Sequence, residues 1–193
     1  MRKILIFIFL VNISLQNNSY ASEILPIKEG DNSSKIKLII YESLTCSHCA
    51  NFHNEVYPEL KKEFIDTGLA SIEFRNFPLD LAALNASKLA HCKNNGSSEL
   101  LHFLYKNQTR WIKGNNIIDL NNNLKKIINE SGIALDFESC VNNKKIEDFI
   151  LEERIDGSKK YSIDSTPTLI INGEKFDKKL NFKNLEKILK KMI

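Results

Sequence analysis

A chain of 193 residues is long enough for one domain, or for one domain that carries a sizeable insertion. Its 42% hydrophobic content argues against intrinsic disorder, because disordered chains have too few apolar side chains to form a core. The formal net charge of +3, from 27 basic and 24 acidic residues, is too small to indicate binding to nucleic acid or to an anionic surface.

The first 21 residues have the pattern of a secretory signal peptide. Arg2 and Lys3 give a positive start, residues 4–11 form an unbroken apolar run, and small residues before position 22 predict cleavage after Ala21. The apolar run is far shorter than the roughly 20 residues that cross a bilayer, so a membrane anchor is the weaker alternative. Cleavage removes two basic and no acidic residues, which leaves a net charge of +1.

The exported part begins with a polar segment, a strand and a helix. Residues 22–35 predict an arm without regular structure, and the apolar run at 36–41 is typical of a strand. A helix is expected from Cys46 to about Ile65, because apolar side chains recur at steps of three and four, at Cys49, Phe52, Val56, Leu60 and Phe64.

Three residues are expected to shape this helix. Thr45 can cap its start, Gly68 can end it, and Pro58 should kink it because proline lacks the N–H that a helix interior needs. Alternating apolar and charged residues then predict a strand over 71–77.

The second half of the chain contains a block of helices followed by a hairpin. Helices are predicted over 81–93, 99–108, 118–129 and, with breaks, 137–155. A strand follows at 168–171, Asn172-Gly173 is a strong hairpin signal, and a last helix has its apolar face at Phe182, Leu185, Ile188, Leu189 and Met192. The predicted organisation is a signal peptide (1–21), an arm (22–35), the first half of an α/β domain (36–78), an all-helical insertion (79–160) and the second half of the domain (161–193).

The sequence Cys46-Ser47-His48-Cys49 contains what thiol–disulfide exchange requires, namely an exposed thiolate and a second thiol nearby. Cys46, at the helix start, lies near unsatisfied N–H groups and the positive end of the helix dipole, which lower a thiol pKa. Cys49 lies one turn later and is more shielded. We therefore expect Cys46 to attack and Cys49 to resolve, while an imidazolium at His48 would make the disulfide more oxidising.

Two points remain open from the residues alone. The pair could instead be a structural disulfide, or Cys46, Cys49 and His53 could hold zinc with one further ligand. Thr166-Pro167 precedes a strand, where a cis bond would expose backbone groups to an extended peptide and a trans bond would only mark the strand start.

Several segments together resemble those of one family. They are Glu42-Ser43-Leu44-Thr45-Cys46-Ser47-His48-Cys49-Ala50-Asn51-Phe52-His53, Phe74-Arg75-Asn76-Phe77-Pro78-Leu79-Asp80, Leu89-Ala90-His91-Cys92, Ser165-Thr166-Pro167-Thr168 and Asn172-Gly173. From about residue 36 onward the chain resembles the DsbA-like periplasmic thiol–disulfide oxidoreductases, especially those of alphaproteobacteria. The resemblance implies an α/β thioredoxin fold with an inserted all-helical domain, a redox-active Cys46–Cys49 pair, and a cis Pro167 that faces the pair beside Thr166.

The function implied by the resemblance is the introduction of disulfide bonds into exported proteins in the periplasm. Reduced or unfolded exported proteins would be the substrates, and a quinone-linked membrane oxidase would reoxidise the pair. No bound cofactor, metal or nucleic acid is expected, and the protein is expected to be a monomer. One alternative is an isomerase or reductase on the same fold, although isomerases of this group usually have a dimerisation domain, for which the arm is too short. The other is a non-catalytic chaperone or metal-binding module.

Two positions depart from the family's pattern. Ser47 stands where members often carry proline, and Ile40 stands where many have a buried acid six residues before the first cysteine. Glu42 is on the same face of the predicted strand as Ile40, so it could replace the missing proton acceptor or could simply be solvated.

Cys92 and Cys140 are expected to form a structural disulfide that joins the two ends of the helical insertion. Both have apolar neighbours in sequence, and an exported chain with an even number of cysteines favours pairing. The alternative is a pair of inert, buried free thiols.

Overall fold

The computed structural model describes residues 23–193, in which five strands form one mixed sheet. The expected signal peptide and its cleavage after Ala21 lie outside the described residues. The strands are β1 (Ile27–Gly30), β2 (Ile36–Glu42), β3 (Ala70–Asn76), β4 (Thr168–Ile171) and β5 (Glu174–Lys175). Their spatial order is β1-β3-β2-β4-β5, in which β2 and β3 are parallel and the other neighbours are antiparallel.

The segment 22–35, interpreted as an arm, contains a strand that the sequence analysis missed. β1 pairs with β3, so that Ile27 lies opposite Phe74 and is buried. Lys28, the next residue, forms an ion pair with Glu73 at 2.7 Å. A single well-buried side chain in a four-residue edge strand is too short a pattern to show the alternation by which strands are recognised.

The helical run after β2 occupies residues 47–65 and alternates between α and π geometry. Each α-helix, α1 (Ser47–Asn51) and α2 (Tyr57–Leu60), is followed by a π-helical segment, Phe52–Val56 and Lys61–Ile65. Pro58, where a kink is predicted, is the second residue of α2 and directly follows the first π-helical segment and Tyr57. The predicted cap at Thr45 is wrong, since Cys46 occupies the N-cap and the Thr45 hydroxyl donates to Asp80 at 2.8 Å.

Six helices lie between β3 and β4, and one more follows β5. They are α3 (Leu81–His91), α4 (Glu99–Lys106), α5 (Gln108–Trp111), α6 (Ile117–Glu130), α7 (Phe137–Val141), α8 (Lys144–Tyr161) and α9 (Phe182–Leu189). The helices α3, α6, α7, α8 and α9 each begin at an Asp or Asn whose side chain accepts a first-turn N–H. Within residues 23–193, no helix has both the length and the apolar character needed to cross a membrane.

Helix α8 extends to Tyr161, beyond the predicted end at residue 155. The apolar pattern does not reveal this extension because two of the residues that contact the sheet, Glu153 and Gly157, are not large and apolar. Glu153 accepts hydrogen bonds from the backbone and side-chain N–H groups of Asn76 on β3, at 2.8 and 2.6 Å. Gly157 packs against Tyr41 of β2 so closely that a Cβ atom at position 157 would lie 2.6 Å from Cε1 of the ring. Beyond Ile150 the buried stripe of the helix therefore continues through a carboxylate and a glycine, which hydrophobic periodicity does not reveal.

Apolar side chains pack on both faces of the sheet. One face of β2 packs toward the 47–65 run and α9 through Ile36, Leu38 and Ile40, and the opposite face packs beneath α8 through Tyr41. The chain leaves β2 after Glu42 and turns into α1, which places Cys46 at the C-terminal end of β2. The segment before β4 reaches the same end of the sheet because β4 runs antiparallel to β2.

Candidate active site

Cys46 occupies the N-cap of α1, close enough to the backbone N–H groups of His48 and Cys49 for them to act on its sulfur. Hydrogen bonding from the Cys49 thiol is the main cause that lowers the pKa of Cys46, from 9.0 to about 5, and Thr166 and the backbone N–H groups of Cys49 and His48 add to it. Burial acts in the opposite direction and is outweighed. At neutral pH this half-buried thiol is therefore a thiolate, which is the nucleophilic form.

Cys49 has the opposite character. Its side chain is fully buried in the core, and burial raises its pKa far above the ordinary value. The hydrogen bond that it donates to Cys46 raises that pKa further, and Glu42 acts in the same direction whenever its carboxyl is ionised. The two thiols of the pair therefore differ in protonation, with one thiolate at the surface and one thiol beneath it.

Thr166 and Pro167 complete the site from a distant part of the sequence. The Thr166–Pro167 peptide bond is cis. The Thr166 carbonyl oxygen lies 3.3 Å from Sγ of Cys46, from which it accepts a hydrogen bond when the thiol is protonated. The Thr166 hydroxyl is buried and has no hydrogen-bond partner among residues 23–193. The Thr166 carbonyl therefore lies beside the reactive sulfur.

An open groove runs beside the cysteine pair, lined by residues that include His48, Asn51, Phe52, Thr166, Pro167 and Leu180. The His48 side chain is exposed. Its backbone N–H is the part of His48 that lowers the pKa of Cys46. The structure therefore brings together the five residues singled out around the motif, with the imidazole of His48 at the solvent side.

Glu42 is buried, which excludes the second of the two possibilities left open for it, a solvated side chain. Its side chain is 4% exposed, and its Oε2 lies 2.6 Å from Nε2 of His53. Burial raises the pKa of Glu42 well above its ordinary value and lowers that of His53 to about 3. The two therefore share a neutral hydrogen bond and not an ion pair. Oε1 of Glu42 has no partner in the described chain, and Ile40 lies in the apolar core.

Two further residues, which the sequence analysis missed, continue from His53. Its Nδ1 lies 2.8 Å from Nδ1 of His102 on α4, and Nε2 of His102 lies 2.8 Å from Oε1 of Glu29 on β1. The spacing from Cys49 to His53, one helical turn, was the only local signal for this group. His102 and Glu29 come from the predicted insertion and arm, and no periodicity relates them to the motif.

Gln108, on α5, holds the loop that carries the pair, and it too was missed. Its side-chain amide donates to the carbonyl oxygens of Leu44 and Cys46, both at 2.9 Å. Because the amide is buried and both its protons are used, it fixes the backbone on either side of Thr45.

Cys92 and Cys140 are joined as a disulfide with a Cα–Cα distance of 5.4 Å, while Cys46 and Cys49 are free thiols. The bond links the end of α3 to α7. It belongs to the helices between β3 and β4 and is separate from the CxxC pair.

The zinc site considered for Cys46, Cys49 and His53 is not assembled. Both ring nitrogens of His53 are occupied, by Glu42 and His102. Residues 23–193 contain no group of three or more His, Cys, Asp or Glu side chains placed to hold a metal ion.

Comparisons with known proteins agree with this geometry. A family model described as Thioredoxin matches residues 25–191. The crystal structure of Wolbachia pipientis alpha-DsbA1 is similar with a TM-score of 0.75 and 31% identity, covering 88% of this chain and 93% of that one. A protein-disulfide isomerase from Novosphingobium aromaticivorans, with a TM-score of 0.74 and 20% identity over 86% of this chain and 96% of that one, shows the fold alone.

A curated protein from Rickettsia conorii, named as a protein-disulfide oxidoreductase, is 30% identical over 147 residues, which are 75% of this chain and 52% of that protein. The chain thus spans about half the length of the curated relatives it matches. The expected α/β thioredoxin fold with an inserted all-helical domain is confirmed. With the family match over residues 25–191 and the likeness to alpha-DsbA1, the chain belongs to the thioredoxin family and, within it, to the DsbA-like thiol–disulfide oxidoreductases.

Proposed function

We propose that the protein introduces disulfide bonds into exported proteins through Cys46 and Cys49. The observation that carries the proposal is the opposite shift of the two thiols, with the pKa of Cys46 lowered to about 5 and that of Cys49 raised. Stabilising the Cys46 thiolate stabilises the reduced pair, so the Cys46–Cys49 disulfide becomes a stronger oxidant.

The exchange begins when a substrate thiolate attacks the sulfur of Cys46. The Cys46–Cys49 bond breaks, its electron pair leaves on Cys49, and a mixed disulfide joins the substrate to Cys46. The second thiolate of the substrate then attacks the substrate sulfur of this mixed disulfide, so that the substrate disulfide forms and Cys46 leaves as a thiolate. The groove along Thr166 and Pro167 offers a place for the extended substrate segment.

Cys49 leaves as a buried thiolate whose pKa is raised, and so it must take up a proton. We assign its supply to Glu42, which is buried, holds a proton because its own pKa is raised, and is near enough for its charge to act on Cys49. Glu42 would thus replace the acid that family members carry at the position of Ile40.

The sequence features of the N-terminus support a periplasmic location after cleavage behind Ala21. There, reduced exported proteins are the proposed substrates, and a quinone-linked membrane oxidase is proposed to reoxidise the pair. The chemistry uses only the two cysteines, needs no bound cofactor, and can be performed by a monomer.

The proposal is tested by mixing the oxidised protein with a reduced, unfolded protein that has two cysteines. We expect transfer of one disulfide per enzyme, and none from Cys46→Ala. A reduction potential well above the glutaredoxin range of about −200 to −230 mV supports an oxidase, whereas a value within it indicates an isomerase or reductase. Substrate binding that survives Cys46→Ala, without transfer by the unaltered protein, would indicate a chaperone.

The function of Glu42 is tested with Glu42→Gln, which keeps a hydrogen-bonding side chain but cannot exchange a proton with Cys49. We expect single-turnover reduction of the disulfide by dithiothreitol to slow by about tenfold or more. The loss of a positioned acid–base group usually slows a reaction by about 10²- to 10⁴-fold. Glu153→Gln, a buried acid on the other face of the sheet, is the matched control. Equal rates in the two variants would contradict the assignment.

A further inference from the structure

We propose that His53, His102 and Glu29 form a proton path between buried Glu42 and the protein surface, which lets the Cys49 proton enter and leave the core. The inference rests on the proposed function of Glu42 and Cys49, and it extends that function to side chains from three other elements. Disulfide exchange itself requires none of the three.

The path is a continuous row of hydrogen bonds. Glu42 and His53 are joined at 2.6 Å, and the two histidines at 2.8 Å. The row ends at 2.8 Å between His102 and Glu29. The His102 side chain is 28% exposed, against 1% for His53, so protons can exchange with solvent at the outer histidine.

Two protonation states satisfy every hydrogen bond in this row. In the first, protonated Glu42 donates to Nε2 of His53, Nδ1–H of His53 donates to His102, and Nε2–H of His102 donates to the Glu29 carboxylate. In the second, the Glu42 carboxylate accepts from Nε2–H of His53, and His102 is an imidazolium that donates from both nitrogens. Conversion of the first state to the second moves one proton from Glu42 to His53 and another from His53 to His102, so one positive charge travels outward and His53 stays neutral.

The charges at each point of the row fit these two states. Burial lowers the pKa of His53 to about 3, so this ring can pass a proton without holding a charge. Burial tends to raise the pKa of Glu29, but hydrogen bonds from His102, Lys61 and Ser98 outweigh it and hold that pKa below its ordinary value. The Glu29 carboxylate therefore remains available to accept the Nε2–H of His102, as both states require.

Aromatic rings enclose the histidines. Tyr105 stacks on His53 with 4.0 Å between ring centroids, Tyr57 stacks on His102 at 4.8 Å, and Phe74 contacts both rings. Burial raises the pKa of both tyrosines, so they keep their protons. Beyond Glu29, Lys61 also pairs with Asp66 at the surface. The groups that face the row are therefore either apolar or fixed in one protonation state.

The experiment measures the rate at which oxidised glutathione re-forms the Cys46–Cys49 disulfide, a step in which Cys49 must lose its proton. We expect His102→Ala to slow this step by about tenfold or more. Because His102 is partly exposed, added imidazole should restore most of the rate. His102→Phe keeps the stacking on Tyr57 but leaves no space, so imidazole should not rescue it. The pKa of Cys46 should stay near 5 in both variants.

His91→Ala is the control, because His91 is also a histidine that takes part in a side-chain hydrogen bond but bonds to Asn76 on a different chain of contacts. It should be neither slowed at this step nor rescued. If both residues act on one path, His102→Ala combined with Glu42→Gln should be no slower than Glu42→Gln alone. Additive losses, a normal rate in His102→Ala, or a loss that imidazole does not restore would overturn the path.

A measurement on the unaltered protein keeps the test independent of how the variants fold. In mixtures of H₂O and D₂O, the reoxidation rate should depend on the D₂O fraction along a curve, because more than one proton moves. A linear or absent dependence would contradict the path. If the unaltered protein transfers no disulfide to any dithiol, the proposed function itself fails, and that result is distinct from all of these.

Discussion

Cys46 and Cys49 are three residues apart, yet their surroundings give them opposite acid–base properties. The Cys46 sulfur receives hydrogen bonds from Cys49 and from first-turn N–H groups, whereas the Cys49 sulfur lies in the apolar core and donates. The difference therefore depends on position at a helix N-terminus and on depth, and not on residue type.

The Cys46 pKa should depend more on Cys49 than on His48. The thiol of Cys49 is the main cause of the lowered pKa, so Cys49→Ala should raise the pKa of Cys46 clearly above 5. His48→Ala should raise it less, because the exposed ring is screened by solvent and the backbone N–H of residue 48 remains. Alkylation rate against pH measures both, and a larger shift in His48→Ala would contradict this ranking.

At the scale of elements, those with a strong local pattern could be predicted, and those defined by distant partners could not. β2, β3 and β4 show their own apolar runs or alternation, and the start of α1 is marked by the motif itself. β1 and the end of α8 carry few large apolar side chains toward the core, since Glu29, Glu153 and Gly157 make their contacts instead. A bond between residues far apart in sequence leaves no periodic trace.

The same distinction applies to the candidate site. The reactive thiols and Thr166-Pro167 lie in short motifs whose chemistry is readable residue by residue. Three further residues could not be assigned to the site from the sequence, namely His102, Gln108 and Glu29. Each belongs to the predicted insertion or arm and reaches the site only through a tertiary contact. The sequence offers Glu42 either as a proton acceptor or as a solvated side chain. Its burial, which only the structure shows, excludes the solvated side chain.

Replacing Cys92 and Cys140 together by Ala should lower the free energy of unfolding by about 2–4 kcal/mol, because the unfolded chain loses a crosslink over a sequence separation of 48. Denaturant unfolding measures the loss. Disulfide transfer by Cys46 and Cys49 should persist at a temperature where the variant is folded. A variant that is folded but cannot transfer a disulfide would show that the bond does more than stabilise the helices.

For the molecule as a whole, two buried titratable groups that both bond to Asn76 make stability depend on pH. Burial raises the pKa of Glu153 to about 7 and lowers that of His91 to about 4. Glu153 keeps its proton in the folded state but loses it near 4.5 when unfolded, so its contribution to stability is lost as pH rises from about 4.5 to 7. His91 acts in the other direction, and its contribution is lost as pH falls below about 6.5 toward 4.

Glu153→Gln isolates the first of these effects. Its side-chain oxygen can still accept from Asn76, but it has no proton to lose. We expect the fall in unfolding free energy between pH 5 and pH 8 to be smaller in the variant, by about 1–3 kcal/mol. Urea unfolding at both pH values measures this difference of differences. An unchanged pH dependence would mean that Glu153 is already ionised in the folded protein.

The contact of Gly157 with Tyr41 also bears on motion. Glu153 and Gly157, four residues apart, attach α8 to β3 and β2 respectively. The helix therefore cannot tilt about one of these contacts without breaking the other contact. Tilting of α8 on the sheet is therefore costly, and we expect access to Cys46 to change through side chains around Thr166 and His48 rather than through movement of this helix. Amide hydrogen exchange along the buried face of α8 should accordingly be as slow in the reduced protein as in the oxidised one.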